Sequence, residues 1–224
     1  MNDLVKTSNS SVTRYGDSTS PWRAFADQES RASFPGELLK FAKGEWTLGK
    51  CALEEEQRFL ANMNEIWRGW VRWSDRQVTD TLIGRVIDRF IPPPREQLGD
   101  LDKSLWETEL SGAQRDPWAR TVFLVLRKAS DDELLATFTS SSNGGISAVG
   151  KLADQFDRRS GKYPGKMPVV CLSSESYTHS SYGKIIKPAF QIVDWDYWDA
   201  EAAVNPEETL RLQRDAELDD EIPF

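Results

Sequence analysis

The sequence predicts a mainly β protein with one main helix, followed by an acidic C-terminal tail. Two strand-like segments, RTVFLVLRK and LLATFTSSS, are separated by the turn-forming run ASDDE and predict a hairpin. One segment with helical spacing of apolar residues follows, and two further strand-like segments, MPVVCLSSESY and KIIKPAFQIVDW, come after it. Short strands with one helix before the last pair are typical of a small Greek-key barrel of the OB type. A less regular α+β sandwich is the alternative.

The chain divides into three predicted parts. Residues 1–33 are rich in Ser, Thr, Asn and Asp, so we expect a disordered N-terminal segment. Residues 34–196 are predicted to form the OB-like domain, and residues 197–224 an acidic tail. Three successive prolines from Pro92 end a strand and begin a long connection, because proline lacks the N–H that a β-ladder needs. Asn143 is predicted to cap the helix.

Composition excludes several classes of protein. The apolar runs fall short of the roughly 20 residues that cross a bilayer, and the N-terminus lacks the apolar core of a signal peptide. Two distant cysteines, Cys51 and Cys171, fit a reducing cytoplasm better than a disulfide framework. With one histidine and two cysteines, neither a metal site nor a cofactor is predicted.

Charge is distributed unevenly along the chain. The whole sequence carries 28 Lys and Arg against 36 Asp and Glu, a net charge of −8. From Asp194 onward, 11 acidic residues oppose only Arg211 and Arg214. Residues 115–190, in contrast, carry 11 Lys and Arg against 7 Asp and Glu. A mildly basic body with an acidic tail is compatible with an anionic partner for the body, although the total charge suggests the opposite.

The chain ends in ELDDEIPF, which presents an aromatic ring on an acidic segment. Phe224 offers its ring and the α-carboxylate from one residue, and a partner can bind both with an apolar pocket beside a basic group. The neighbouring acids would steer this tip toward a basic rim. The simpler interpretation is an acidic end whose phenylalanine docks on its own domain.

DDEIPF resembles the C-terminal tip of bacterial single-stranded-DNA-binding proteins, in which a flexible acidic linker ends in an Asp-rich run and Ile-Pro-Phe. The candidate partner-binding residues are Asp219, Asp220, Glu221, Ile222, Pro223 and Phe224, with Glu221 as an acidic replacement. The resemblance covers only this tip, and neither the family's usual opening nor its long Gly/Gln/Pro linker is found. In that family the tip recruits replication, repair and recombination proteins and competes with DNA for the body.

Two segments of the body, GKYPGKMPVV and SSYGKIIKPAFQIVDW, are similar to uncharacterised proteins of bacteriophages and prophages. Together with the tip, this similarity implies a phage or prophage analogue of the single-stranded-DNA-binding proteins.

The run WRGWVRW is the first candidate DNA surface, because single strands are bound by aromatic rings that stack on bases and cations that follow phosphates. On a strand, Arg68, Trp70 and Arg72 share one face, while Trp67, Gly69, Val71 and Trp73 share the other. The first of these faces suits a nucleic-acid platform. The alternative is that these tryptophans are core or interface residues.

A second candidate surface is the segment SYTHSSYGKIIKPAF, a presumed hairpin. OB folds often hold their ligand at such a loop. Its candidate residues, with the pair that ends an earlier strand, are Tyr177, Tyr182, Lys184, Lys187, Arg127 and Lys128. The alternative is a plain hairpin with solvated lysines.

An enzyme is not expected. GISAVGK matches part of a nucleotide-binding P-loop, but Leu152 follows where a hydroxyl would bind Mg²⁺, and the segment already has helical spacing. We therefore expect a protein of a bacterial or phage-infected cell that coats single-stranded DNA and recruits genome-maintenance enzymes through its tip. The sequence leaves open whether it acts as a monomer or a homo-oligomer. An adaptor that captures host proteins without binding DNA, and a phage recombination or annealing factor, are the alternatives.

Overall fold

The computed structural model describes residues 34–54, 56–108, 112–179 and 183–199, which form a mainly β fold with one α-helix, as predicted. The elements are β1 (Glu37–Ala42), β2 (Glu45–Leu48), β3 (Cys51–Ala52), β4 (Arg58–Ser74), β5 (Gln77–Arg85), β6 (Glu107–Thr108), β7 (Gln114–Arg115), β8 (Trp118–Lys128), β9 (Asp131–Ser140), α1 (Asn143–Ser160), β10 (Met167–His179) and β11 (Gly183–Asp196). The segment predicted to be disordered, residues 1–33, and nearly all of the predicted tail lie outside the described residues.

Nine of these strands form one mixed sheet in the order β11-β10-β4-β8-β9-β1-β2-β3, and β5 pairs with β4 as well. The pairings are antiparallel except that β1 runs parallel to β9. β6 and β7 form a separate two-stranded sheet. The predicted hairpin is confirmed as β8 and β9, which pair antiparallel from Val122 and Ser140 to Lys128 and Asp131.

β4 organises the sheet because its 17 residues serve several neighbours. Its first residues pair with β10 and with the end of β8, whereas residues 67–74 pair with β5 and residues 66–72 with the start of β8. Between Ala61 and Ile66 the register with β8 shifts. Such an irregularity bends a strand, so β4 has a first half beside β10 and a second half beside β5.

The sheet curls around one apolar cluster in which Phe59 and Leu124 are fully buried. The ring of Trp46 on β2 lies 5.5 Å from that of Phe190 on β11, and its indole N–H donates to the carbonyl of Ser173 on β10 at 3.0 Å. The two ends of the sheet therefore meet through side chains. Among the described residues no backbone ladder joins β3 to β11, so the predicted closed barrel of the OB type is not confirmed.

Helix α1 packs against β8, β9 and β11 and buries Val149 and Leu152, as their spacing predicts. The predicted cap is wrong by one residue. Asn143 is the first helical residue, and the N-cap is Ser142, whose hydroxyl accepts from the backbone N–H of Gly145 at 3.0 Å. Ser142 keeps an extended backbone, as N-cap residues do, so that its side chain reaches the first turn.

Candidate nucleic-acid interface

The predicted DNA-contacting residues that the structure describes lie at opposite ends of β4. Those on its second half are Arg68, Trp70, Arg72 and Trp73. β10 pairs with β4 over residues 169–171 and then continues away from that half. At about 3.3 Å per residue, Tyr177 lies roughly 20 Å beyond Cys171, in the hairpin that also carries Lys184 and Lys187. The two groups of residues therefore do not share one groove.

Residues 90–100, which we call the strap, run along the face of β4 that the sequence predicts as a stacking platform. The guanidinium group of Arg68 donates to the carbonyl of Phe90 at 2.6 and 2.8 Å. The indole N–H of Trp70 donates to the carbonyl of Pro93 at 2.9 Å. Both side chains are half-buried and bind the strap, so this face is not a bare platform for bases.

Asp100 fixes the end of the strap. Its carboxylate accepts from Arg72 Nε at 2.9 Å and from the indole N–H of Trp118 at 3.0 Å. Its backbone carbonyl accepts from the indole N–H of Trp106 at 2.8 Å and from Arg95 Nη2 at 3.1 Å. The hydrogen bond from Arg72, followed by that from Trp118 and by the nearby positive charges, holds the pKa of Asp100 below its ordinary value.

A cavity of about 370 Å³ lies beside the strap. Trp73 lines it together with Trp106 and with Leu105, which is 82% exposed. Residues 86–116, which include the strap and most of the cavity lining, carry four Lys and Arg against seven Asp and Glu. The surface at this end of β4 is therefore poorly suited to a polyanion, despite its tryptophans.

Asp100→Ala is expected to lower the free energy of unfolding by about 2–3 kcal/mol, because the buried indole N–H of Trp118 and the guanidinium of Arg72 lose their acceptor. Alanine also tolerates the φ of +52° at this position less well than aspartate. Urea unfolding followed by tryptophan fluorescence measures the loss. Asp100→Asn retains an acceptor oxygen and is expected to lose only about 1 kcal/mol. Equal losses in the two variants would contradict this account.

The same carboxylate gives a pH dependence of stability. Because the folded-state pKa of Asp100 lies below its unfolded value of about 3.9, the ionised carboxylate stabilises the fold above that unfolded value. This contribution is lost as the pH falls through the folded-state pKa. The difference in stability between wild type and Asp100→Asn should therefore shrink as the pH is lowered from about 5 to about 2. A difference that stays constant over this range would contradict the prediction.

The second group of predicted residues forms what we call the hairpin–helix surface, made by β10, β11 and α1. Its members are Tyr177 and Lys187, which the sequence predicted, and Lys151 and Glu175, which it did not. The predicted Lys184 lies opposite Thr178 in the ladder and therefore on the other face of the hairpin. Glu175 lies directly opposite Lys187 in the β10–β11 ladder, and Tyr177 follows on the same face of β10. The ammonium of Lys187 lies 5.7 Å from the centre of the Tyr177 ring, and Tyr177 is 45% exposed. A cation and an accessible ring therefore lie side by side.

Glu175 links the two lysines on either side of it. Its Oε2 atom lies 2.9 Å from Lys151 Nζ and 3.2 Å from Lys187 Nζ. Lys151, and then Lys187, lower the pKa of Glu175 below its ordinary value, while Glu175 raises the pKa of Lys151. Two ammonium groups from different elements are thus held around one anionic oxygen.

Helix α1 continues the basic surface toward its C-terminus. Arg158 lies two turns after Lys151 on the same side of the helix and pairs with Asp154 at 3.0 Å. Arg159 and Lys162 follow and are exposed. Tyr163 is 39% exposed and stacks on Trp195 with ring centres 4.6 Å apart. Cations and an accessible ring therefore extend beyond the residues that the sequence singles out.

Arg127 and Lys128 lie at the end of β8, opposite the first residues of β4. Arg127 donates to the carbonyl of Tyr197 at 3.2 Å, and its guanidinium lies 5.4 Å from the Trp198 ring. Lys128 is opposite Asp131 in the β8–β9 ladder. These two candidates thus have intramolecular contacts and acidic neighbours, and they are a less favourable cationic surface than the hairpin.

Sequence reasoning did not single out the contact between Lys151 and Glu175. GISAVGK had drawn attention to Lys151 as part of a P-loop pattern, yet Gly145 to Lys151 lie within α1. Strand alternation places Glu175 and Tyr177 on one face, which is the only signal for Glu175 in the sequence. Its approach to the helix depends on how α1 packs against β11.

Several predicted residues lie outside the described ranges, namely Tyr182 and the tip residues Asp219, Asp220, Glu221, Ile222, Pro223 and Phe224. Within the described ranges, no helix combines the length and the apolar character that crossing a membrane requires. Comparisons with protein-family models, with curated proteins and with solved structures gave no match.

Proposed function

We propose that this protein binds and coats single-stranded DNA through the hairpin–helix surface and recruits replication, repair or recombination proteins through its acidic tip. The observation that carries the DNA part of this proposal is the exposed ring of Tyr177 beside the ammonium of Lys187. Proteins that bind single strands without sequence preference combine such rings, which stack on bases, with cations that follow the backbone.

The charge of the surrounding segment supports this choice of surface. Residues 143–193, from the start of α1 to the end part of β11, carry seven Lys and Arg against three Asp and Glu. The strap region has the opposite balance, with four against seven. A phosphate backbone approaching the molecule is therefore attracted to the hairpin–helix surface and not to the tryptophan-rich half of β4.

The strand order also supports a relationship to the OB fold. Five strands follow one another in space as β11-β10-β4-β8-β9, and the helix lies in the connection between β9 and β10. A five-stranded, partly open Greek-key barrel is the OB architecture, and its ligands often contact the loop between the last two strands. In this chain the corresponding loop joins β10 to β11, next to Tyr177 and Lys184.

The recruiting role rests on the sequence of the tip. Phe224 is held on an acidic run, and its resemblance to the tip of single-stranded-DNA-binding proteins supports partner capture by the ring and the terminal carboxylate. DNA bound to the body and partners bound to the tip would thereby be brought together.

A titration of fluorescently labelled oligo-dT tests the proposal. We expect binding at low salt that weakens as salt rises, with a logarithmic slope of about 0.7 per phosphate contact. The form lacking residues 217–224 serves as the control for interference by the acidic tip. Failure of both forms to bind at about 20 mM salt, where phosphate contacts are strongest, would reject the DNA-binding function.

One observation favours the alternative function, an adaptor that captures host proteins without binding DNA. The strap covers Arg68 and Trp70. For that function Phe224→Ala would abolish capture of tip-binding enzymes, while oligo-dT would bind neither form. A recombination factor would in addition pair complementary strands, which an annealing assay detects.

A further inference from the structure

We propose that Lys151 and Lys187 form a phosphate-binding subsite. The carboxylate of Glu175 occupies this subsite until a backbone phosphate of single-stranded DNA displaces it. This inference rests on the proposed function and adds to it a defined subsite and a residue that limits its occupancy. The ligand is a phosphodiester group, and the neighbouring Tyr177 ring takes the base beside it.

The geometry of the three side chains carries the inference. Both ammonium groups contact the same oxygen, Glu175 Oε2, at 2.9 and 3.2 Å. One phosphate oxygen in that position would meet the same two donors at distances typical of charge-assisted hydrogen bonds. The donors come from separate elements, α1 and β11, so packing of the helix on the sheet sets their spacing before any ligand arrives.

The exposure of the three side chains is also consistent with a carboxylate that a phosphate can displace. The side chains of Lys151 and Glu175 are 53% and 49% exposed, whereas that of Lys187 is 21% exposed. Exposed ion pairs contribute little to folding because water screens them, so the fold can release Glu175 at small cost. The stem of Lys187 packs close to the backbone of α1, where Gly144 leaves so little room that an added Cβ would lie only 3.0 Å from the Cβ of Lys187.

A base can stack next to the subsite. Tyr177 follows Glu175 by two residues on β10 and therefore lies on the same face of the strand. Its ring is 45% exposed and adjoins Lys187. The subsite and the ring together fit one nucleotide, with its phosphate between the lysines and its base on the tyrosine.

Glu175→Gln tests the inference, because it removes the competing charge while retaining the shape of the side chain. We expect oligo-dT to bind Glu175→Gln about tenfold more tightly than wild type at about 50 mM salt, because the phosphate no longer has to displace a carboxylate from the two lysines. Glu133→Gln, which neutralises an exposed carboxylate on β9, is the matched control and should change affinity less than twofold. Adding Lys151→Gln to Glu175→Gln should abolish the gain.

The outcomes separate the inference from the proposed function. If wild type binds oligo-dT but Glu175→Gln binds it no more tightly than Glu133→Gln does, the subsite is overturned and the DNA-binding function stands. A gain that survives Lys151→Gln would also overturn it, because the gain would then come from net charge. Absence of oligo-dT binding in wild type and in every variant would overturn both. Thermal unfolding of each variant establishes that the fold is unchanged.

Discussion

Replacing Lys151, Lys184 and Lys187 together with glutamine is expected to weaken oligo-dT binding on the order of 50-fold at about 50 mM salt. Two phosphate contacts are lost, the one between Lys151 and Lys187 and the one at Lys184 beside the loop. Glutamine keeps the length of the side chains, so packing of the hairpin against α1 should be retained. The slope of log affinity against log salt concentration should also fall by about 1.4, since each contact on a single strand contributes about 0.7.

The control for this triple variant carries the same change in net charge at a different place. Lys40, Lys50 and Lys103 are exposed lysines outside the hairpin–helix surface. Their joint replacement with glutamine should reduce affinity only slightly, because charges farther than a Debye length of about 10 Å are largely screened. Equal weakening in the two triple variants would mean that net charge, and not this surface, governs binding.

Gly69→Ala is expected to have the largest effect on stability, a loss of about 2–5 kcal/mol. A Cβ at this position of β4 would overlap the carbonyl oxygen of Leu82 and lie 2.8 Å from the Cα of Ile83 on β5. The φ of +153° adds strain for any residue with a side chain. Because β5 leads into the strap, we expect loss of this pairing to loosen the strap as well, and urea unfolding measures the total effect.

Gly150→Ala is the matched control for this prediction. Gly150 is exposed within α1, and nothing lies within 4 Å of a Cβ added there. Alanine should therefore stabilise the helix by about 0.5–1 kcal/mol. If Gly69→Ala proved as stable as wild type, the close approach of β4 and β5 would be looser than the structure has it.

Local patterns in the sequence predicted the elements whose formation depends on near neighbours. The apolar run around Val122 and Leu124 and the turn residues after it defined the β8–β9 hairpin, and the spacing of Val149 and Leu152 defined the buried face of α1. The helix cap was misassigned by one residue because both Ser142 and Asn143 favour that position. Choosing between them requires the direction of the preceding strand.

Long-range contacts explain what the sequence did not predict. Alternation correctly grouped Arg68 with Trp70 on one face, but their partners Phe90 and Pro93 are 22 and 23 residues away. The three prolines predicted a connection, and nothing local indicated that it would return across β4. The hydrogen bond from Trp46 to Ser173, 127 residues away, is likewise not predictable from a local pattern.

The candidate surface was predicted only in part, because it too depends on long-range contacts. Tyr177 and Lys187 belong to one hairpin, so their proximity follows from strand pairing once the turn is known. Lys151 joins them only because α1 folds back over the sheet, which brings it to Glu175 across 24 residues. The run WRGWVRW, by contrast, was predicted from its composition alone. The charges of its arginines are compensated by contacts with the strap and with residues next to the strap.

Photo-crosslinking tests the central claim most directly. After irradiation, oligonucleotides that contain iododeoxyuridine should be crosslinked to peptides that carry Tyr177, on the hairpin–helix surface, and Tyr163, beside the cations that continue from it along α1. Crosslinks confined to Trp73 or Trp106, beside the cavity at the far end of β4, would contradict the assignment of DNA binding to the hairpin–helix surface.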